Sequence, residues 1–265
     1  MPYVASIHLY PVKSLDGIAV SQAALLASGA LEGDRSLAIC DGQGKVVNGK
    51  QNSGVHFVRF SLDVKTRIVS LKIQGTEAEI FFHIDRERTA IESWFSSYFG
   101  FPVKLLENLL TGFSDHLATP GPTIISTATI AEVASWFPRV CVNEMRHRLR
   151  ANIEIGDAPA FWEDKLFAEA DEVVRLKIGK VIFEGINPAQ LCVLPARNPR
   201  HQEAYPNLPK IFSGNEKETP PELIARSHFN QFSRLSINTR VPEQAAGKII
   251  RIGDPVEIIG ISKAV

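Results

Sequence analysis

Cysteine is scarce in this chain, and the three present, Cys40, Cys141 and Cys192, form an odd and widely spaced set. That argues against a disulfide framework and for a reducing compartment. No Cys-x-x-Cys pair occurs, which argues against a zinc ribbon or a cysteine-ligated iron–sulfur cluster. An excess of one charge is missing too. The 29 basic and 29 acidic residues leave a formal net charge of +0, so no nucleic-acid partner is expected. No apolar run is long enough to span a bilayer. The stretch from Met1 to Ser14 lacks the basic-then-apolar layout of a signal peptide. The expectation is a soluble cytoplasmic protein with no membrane contact.

Several catalytic signatures are absent as well. The histidines are scattered without an HExxH pair, and neither a GxSxG elbow nor a P-loop occurs. Gly42-Gln43-Gly44 resembles a fragment of a dinucleotide fingerprint. It joins two short strand-like stretches with no helix after it, so it reads as a hairpin turn.

What is there is a hydrophobic fraction of 45% in a chain of 265 residues, enough for one large or two modest cores. The pattern is of short strands with Gly, Asn and Asp punctuation, which favours a barrel or sandwich over a parallel sheet. Strands are expected at residues 4–10, 20–26, 36–40, 45–47, 56–62, 67–73 and 78–83. Later ones are expected at 152–155, 173–178, 181–186, 191–194, 235–240, 248–251 and 256–259. Three helices interrupt them. The first spans about residues 90–99, with Thr89 and Glu92 as a capping box and Gly100 as its stop. The second spans about 127–137, with Ser126 as cap and Pro138 beyond it. The third starts at Thr219-Pro220-Pro221-Glu222. A domain boundary is expected near residue 112, dividing the chain into 1–112 and 113–265. Residues 195–215 read as a long loop of the kind that is commonly functional or disordered.

Cys192 is the most informative side chain. It follows Asn187-Pro188-Ala189-Gln190-Leu191 and precedes Val193-Leu194-Pro195. A free cysteine is most often a small buried hydrophobe. It is also a soft ligand for sulfur-seeking metals, and cationic neighbours favour its thiolate. Upstream, Arg146 to Ile155 reads as an extended strand, which places Arg146, Arg148, Arg150 and Asn152 on one face. Lys13 and Ser14 sit at a strand end, either in a solvated turn or as an anion grip. Arg35, after Gly33-Asp34, is either an ion-pair partner of Asp34 or an anion clamp. Ser126 is an N-cap, and the helix start it caps can also face an anion.

Taken in order, these segments resemble the MOSC family, the molybdenum-cofactor sulfurase C-terminal domain, with its β-barrel N-terminal partner domain. The likeness runs over nearly the whole chain. It starts with Ile7-His8-Leu9-Tyr10-Pro11-Val12-Lys13-Ser14 and Gly33-Asp34-Arg35. It continues through Ile124-Ile125-Ser126-Thr127, Leu149-Arg150-Ala151-Asn152-Ile153 and the Cys192 segment. It closes with Ile237-Asn238-Thr239-Arg240 and Ile250-Arg251-Ile252-Gly253-Asp254-Pro255. The resemblance implies a mainly β fold with a few helices, a β-barrel N-terminal domain packed on a MOSC β-barrel domain.

Within the family the pair is similar to the mitochondrial amidoxime-reducing component and its bacterial relatives. That implies a molybdenum–molybdopterin cofactor with Cys192 as metal ligand and catalytic residue. It implies Lys13, Ser14, Arg35, Ser126, Arg150, Asn152 and Asn238 as cofactor-binding residues, and it gives no place to pyridoxal phosphate. The implied activity is reduction of N-hydroxylated compounds (hydroxylamines, amidoximes, N-hydroxylated bases). Relatives often carry an Arg just before this cysteine, where Ala189, Gln190 and Leu191 stand here. No ferredoxin-like domain and no amino-terminal anchor are expected, so electrons would come from a separate ferredoxin- or flavin-type reductase. The alternatives are a persulfide carrier using Cys192 and a non-catalytic cofactor-binding module.

Overall fold

The computed structural model describes residues 1–114, 119–168, 171–190 and 234–263. Cys192, the strand expected at 191–194, the loop at 195–215 and the helix expected from Thr219 lie outside the described residues. Among the described residues the architecture is mainly β with three α-helices.

The largest sheet has eight strands. Its order is β15 (Val256–Lys263), β11 (Glu172–Ile178), β12 (Val181–Gln190), β13 (Arg234–Arg240), β9 (Ile124–Ser126), β10 (Ile153–Gly156), β1 (Tyr3–Leu9) and β2 (Ile18–Val20). The ladders do not close into a barrel, but the two ends approach each other. Tyr3 bridges Pro255, and Val4 N–H donates to the Asp254 carbonyl at 2.9 Å. In β1 the buried residues Val4, Ile7 and Leu9 break strict alternation. A register shift between Val4 and Ser6 changes the face and accounts for the spacing. Ile7, Ile124, Ile153, Leu176, Phe183 and Ile237 are among the buried residues between these strands.

A second core gathers β4 (Leu37–Asp41) paired with β8 (Val103–Glu107), the meander β5 (Val58–Asp63), β6 (Ile68–Ile73) and β7 (Glu79–His83), and helix α1 (Arg88–Phe99). Helix α1 buries Ile91 and Phe95 and ends at Gly100, whose φ of 77° is cheap only for glycine. The expected capping box does not form. The helix begins two residues earlier with Glu87 at the cap and no side-chain cap bond. Glu92 is drawn away: its Oε1 accepts from Leu105 N–H at 3.0 Å and its Oε2 from Lys104 Nζ at 2.8 Å. Tertiary bonds to β8 outweigh the local cap.

Helix α2 (Thr127–Ser135) starts where expected, with Ser126 Oγ accepting from Thr129 N–H at 3.0 Å. The expected strand through Arg146 is instead helix α3 (Val142–Leu149). Arg148 pairs with Glu144 one turn back and Met145 points into the core, so helical spacing satisfies this segment better than a strand face. Arg150 then takes φ 55°, ending the helix, and β10 follows.

Other differences are local. The strand expected at 20–26 splits into β2 and β3 (Gln22–Ala24), which pairs with β14 (Ile249–Arg251). Residues 45–47 contribute one bridge, Cys40 to Val46, around the hairpin turn read at Gly42–Gly44. The start of the strand expected at 56–62 is a 3-10 turn, Ser53–Phe57. Among the described residues no helix is long and apolar enough to cross a membrane.

Candidate functional site

The site is organised by Tyr10, which caps the end of β1 at only 4% exposure. Its backbone N–H donates to Asp34 Oδ1 at 2.8 Å, and its hydroxyl donates to the Ala151 carbonyl at 3.3 Å. Two guanidiniums flank the ring, Arg150 at 4.1 Å and Arg35 at 5.2 Å from its centroid. Burial pushes the Tyr10 hydroxyl up to about 12, so it stays protonated as a donor. Burial also lowers the Arg150 pKa, with Tyr10 and the nearby acids Asp16 and Asp34 acting against that. Gly17 is required beside the ring: a Cβ there would lie 2.5 Å from Tyr10 Cε1.

Arg35 is fixed from several sides. Its N–H donates to the Tyr10 carbonyl at 2.8 Å, and its Nη1 pairs with Asp34 and reaches Asn152 Oδ1 at 3.4 Å. Asn152, 1% exposed, is the junction of three segments. Its Oδ1 also accepts from Thr123 N–H and Oγ1, each at 3.2 Å, and its Nδ2 donates to the His8 carbonyl at 3.1 Å. Arg150 Nη1 donates to the Leu15 carbonyl at 2.6 Å. Ser14, Arg35 and Arg150 all have left-handed backbone, with φ of 71°, 50° and 55°. Such conformations cost energy in non-glycine residues and cluster at functional sites.

Of these residues Tyr10, Ser14 and Arg150 line a cleft, together with Asp16, His56, Arg59 and His147. The structure thus brings Ser14, Arg35, Arg150 and Asn152 together around one tyrosine. Lys13 lies next along the chain and donates from Nζ to the Phe113 carbonyl at 2.8 Å. Ser126 is fully buried, its Oγ bonding Thr129 Oγ1 at 2.8 Å and the Pro159 carbonyl at 3.0 Å. Asn238, 3% exposed, donates to Asn187 Oδ1 at 2.8 Å. Neither bonds the Tyr10 group among the described residues. The shared strand face expected for Arg146, Arg148, Arg150 and Asn152 is replaced by two arrangements. Arg146 pairs with Glu154 at 2.5 Å and Arg148 with Glu144, while Arg150 lies over the Tyr10 ring and Asn152 accepts from Arg35.

Sequence reading missed Tyr10, Arg59 and His147. The first had a signal, an aromatic at a strand end before Pro-Val-Lys-Ser. The other two reach the cleft only through tertiary packing. Among the described residues no group of three or more His, Cys, Asp or Glu side chains is placed to hold a metal ion.

One buried carboxyl stands apart. Glu163, 1% exposed, accepts at Oε2 from Ser126 N–H at 3.1 Å and Thr129 Oγ1 at 3.0 Å, while Oε1 has no partner. Burial pushes it up to about 8. Its neighbour Asp164 is pushed up to about 7, also by burial.

Residues 1–102 match the family model of the MOSC N-terminal beta barrel domain. The human protein named molybdenum cofactor sulfurase is 24% identical over 256 residues, covering 77% of this chain. The match takes in 28% of that longer relative. The crystal structure of the YUAD protein from Bacillus subtilis aligns over 100% of this chain and 98% of its own, at 13% identity and a TM-score of 0.39.

Proposed function

We propose that this chain, which carries the MOSC N-terminal beta barrel domain over residues 1–102, binds a molybdenum–molybdopterin cofactor and reduces N-hydroxylated compounds. Electrons would come from a separate ferredoxin- or flavin-type reductase. The observation that carries the reading is the Arg35–Tyr10–Arg150 stack beside the cleft, with the ring 5.2 and 4.1 Å from the two guanidiniums. The residues present fit an anionic organic cofactor. Arg150 and Ser14 line the cleft, Arg35 lies over the Tyr10 ring, and the buried Asn152 amide braces Arg35 from behind. Lys13, Ser14, Arg35, Arg150 and Asn152 would hold the organic part, with Ser126 and Asn238 as further candidates and Cys192 as the protein's bond to the metal.

Bound there, the cofactor supplies a two-electron redox centre able to take up the oxygen of an N–O bond. The protein's part is positioning and charge. Both guanidiniums lie over the Tyr10 ring, while Asp34 and the Leu15 carbonyl set the reach of Arg35 and Arg150. Partial burial of this group strengthens each ionic contact.

The experiment is a molybdenum and pterin assay of protein purified from a host that makes the cofactor. About one metal per chain is expected, and Cys192→Ser should lose both metal and turnover while the fold persists. Wild-type protein without molybdenum ends the reading. The likeness to the human molybdenum cofactor sulfurase favours one second reading, in which Cys192 carries a persulfide for delivery. An added sulfur on Cys192 by mass spectrometry, with no molybdenum bound, would select it.

A further inference from the structure

Where α3 meets β1 and β10, one buried carboxylate oxygen has two claimants. Glu154 stands on β10 opposite Ser6 of β1, with its side chain almost fully buried. Its Oε1 accepts from Arg146 Nε at 2.5 Å, and His8 Nδ1 lies 3.7 Å from the same oxygen. Ser6 Oγ is 3.5 Å from that nitrogen, and Ala19, opposite His8 on β2, adds no charge. The charged and titratable groups that face His8 are therefore Glu154 from β10 and Arg146 and His147 from α3. Burial lowers the His8 pKa from its ordinary 6.5, Glu154 pulls it back up, and Arg146 and His147 push it down. Both claimants reach the site through their backbones. The Arg146 carbonyl accepts from Arg150 N–H at 3.1 Å, closing the helix end from which Arg150 extends over Tyr10. His8 N–H donates to the Asn152 carbonyl at 2.7 Å, and its own carbonyl accepts from Asn152 Nδ2 at 3.1 Å.

We propose that Glu154 is a positioning residue for the Arg150 turn, acting through Arg146, and that protonated His8 competes for the same carboxylate oxygen and releases the turn in acid. With His8 neutral, Arg146 alone neutralises Glu154, and a buried carboxylate holds such a partner firmly. A protonated His8 brings a second cation to a group with one negative charge, and the surplus is repelled in a poorly solvated setting. Arg146 yields, because its long side chain can carry its charge to water. Met145 stays in the core beside it, so the release is confined to the last turn of α3. Because folding holds His8 below its ordinary value, the latch is closed above pH 6.5 and weakens as pH falls from there. Its effect on the cofactor site rests on the proposed function, whereas the latch itself needs no molybdenum.

The readout is amide exchange at Arg150 by NMR, corrected for the intrinsic rate, between pH 7.5 and 5 in protein from a host that makes no cofactor. Wild-type protection should fall about tenfold, the factor that one unit of pKa difference supplies, in step with the His8 ring resonances. His8→Gln should keep the protection seen at pH 7.5 and abolish the fall. Glu154→Gln should show weak protection at both ends and move the His8 titration still lower, since the carboxylate that raises it is gone. An acid fall of the same size in His8→Gln overturns the switch. Folded Glu154→Gln with wild-type protection overturns the positioning role, and if that variant does not fold, His8→Gln alone decides. In cofactor-loaded protein, turnover of an N-hydroxylated compound should decline below pH 6.5, and His8→Gln should lose most of that decline. An unchanged profile beside a working latch would cut its link to the site. Protein that never takes up molybdenum, yet shows the Arg150 response, would sink the reductase reading and keep the latch.

Discussion

Arg150 lays its guanidinium 4.1 Å from the centroid of Tyr10, and the same ring carries Arg35 at 5.2 Å on the way to Asp34. One aromatic side chain therefore contacts two like charges at once. Replacing it removes that contact without removing either charge. Tyr10→Leu should lower the cofactor content of folded protein about tenfold, matching one or two cation–π contacts. Tyr10→Phe keeps the ring, loses only the 3.3 Å bond to the Ala151 carbonyl, and should retain most of the cofactor. Metal content per folded chain is the readout, and equal loss in both variants would refute the stacking role.

The same ring explains Gly17. A methyl group at that position would meet Tyr10 Cε1 at 2.5 Å and Cδ1 at 2.7 Å. Gly17→Ala should destabilise the protein by about 1–3 kcal/mol, the usual range for overpacking. Combining it with Tyr10→Ala removes the clash, so the double variant should lose less than the sum of the singles in thermal melts. Additive losses would mean the glycine serves something other than this contact.

How much of this was legible beforehand depended on the range of the interaction. Ser126 was readable as a cap because its partner, Thr129, lies three residues on. The turn at Gly42–Gly44 was readable for the same reason. Thr89 and Glu92 misled because a distant Leu105 amide claimed the glutamate. The 146–155 segment misled because alternate arginines fit a strand face, while the Glu144 and Arg148 pairing that favours a helix is equally local. Strands β8 and β9 were missed, the latter only three residues long. Arg150 and Asn152 were named from a supposed shared strand face, Arg35 from its place after Gly33-Asp34, and all three again from the resemblance, but the tie between Tyr10 and the 150–152 segment spans 141 residues. No local pattern encodes that.

Glu92 offers a test of which bond outweighed the cap. Glu92→Gln keeps an acceptor for Leu105 N–H and loses the ionic pair with an exposed Lys104, so little stability should be lost. Glu92→Ala leaves the partly buried Leu105 amide without its acceptor and should cost about 1–3 kcal/mol in denaturant unfolding. Similar losses for both would place the stabilisation in the surface ion pair instead.

Glu163 gives the protein a dependence on alkali. Its folded value of about 8 lies above the ordinary 4.5, so the native state holds a proton that the unfolded chain releases. Stability is therefore fully present below the ordinary carboxyl value and declines as pH rises from there through about 8, by on the order of a few kcal/mol. Asp164, raised to about 7, acts in the same direction over a narrower window. Glu163→Gln keeps an oxygen for Ser126 N–H and Thr129 Oγ1 while removing the ionisable group. The variant should lose most of the decline between pH 5 and 8 and keep only the part due to Asp164. Urea unfolding at half-unit pH steps measures it, and parallel curves for variant and wild type would show that Glu163 ionises freely in the folded protein.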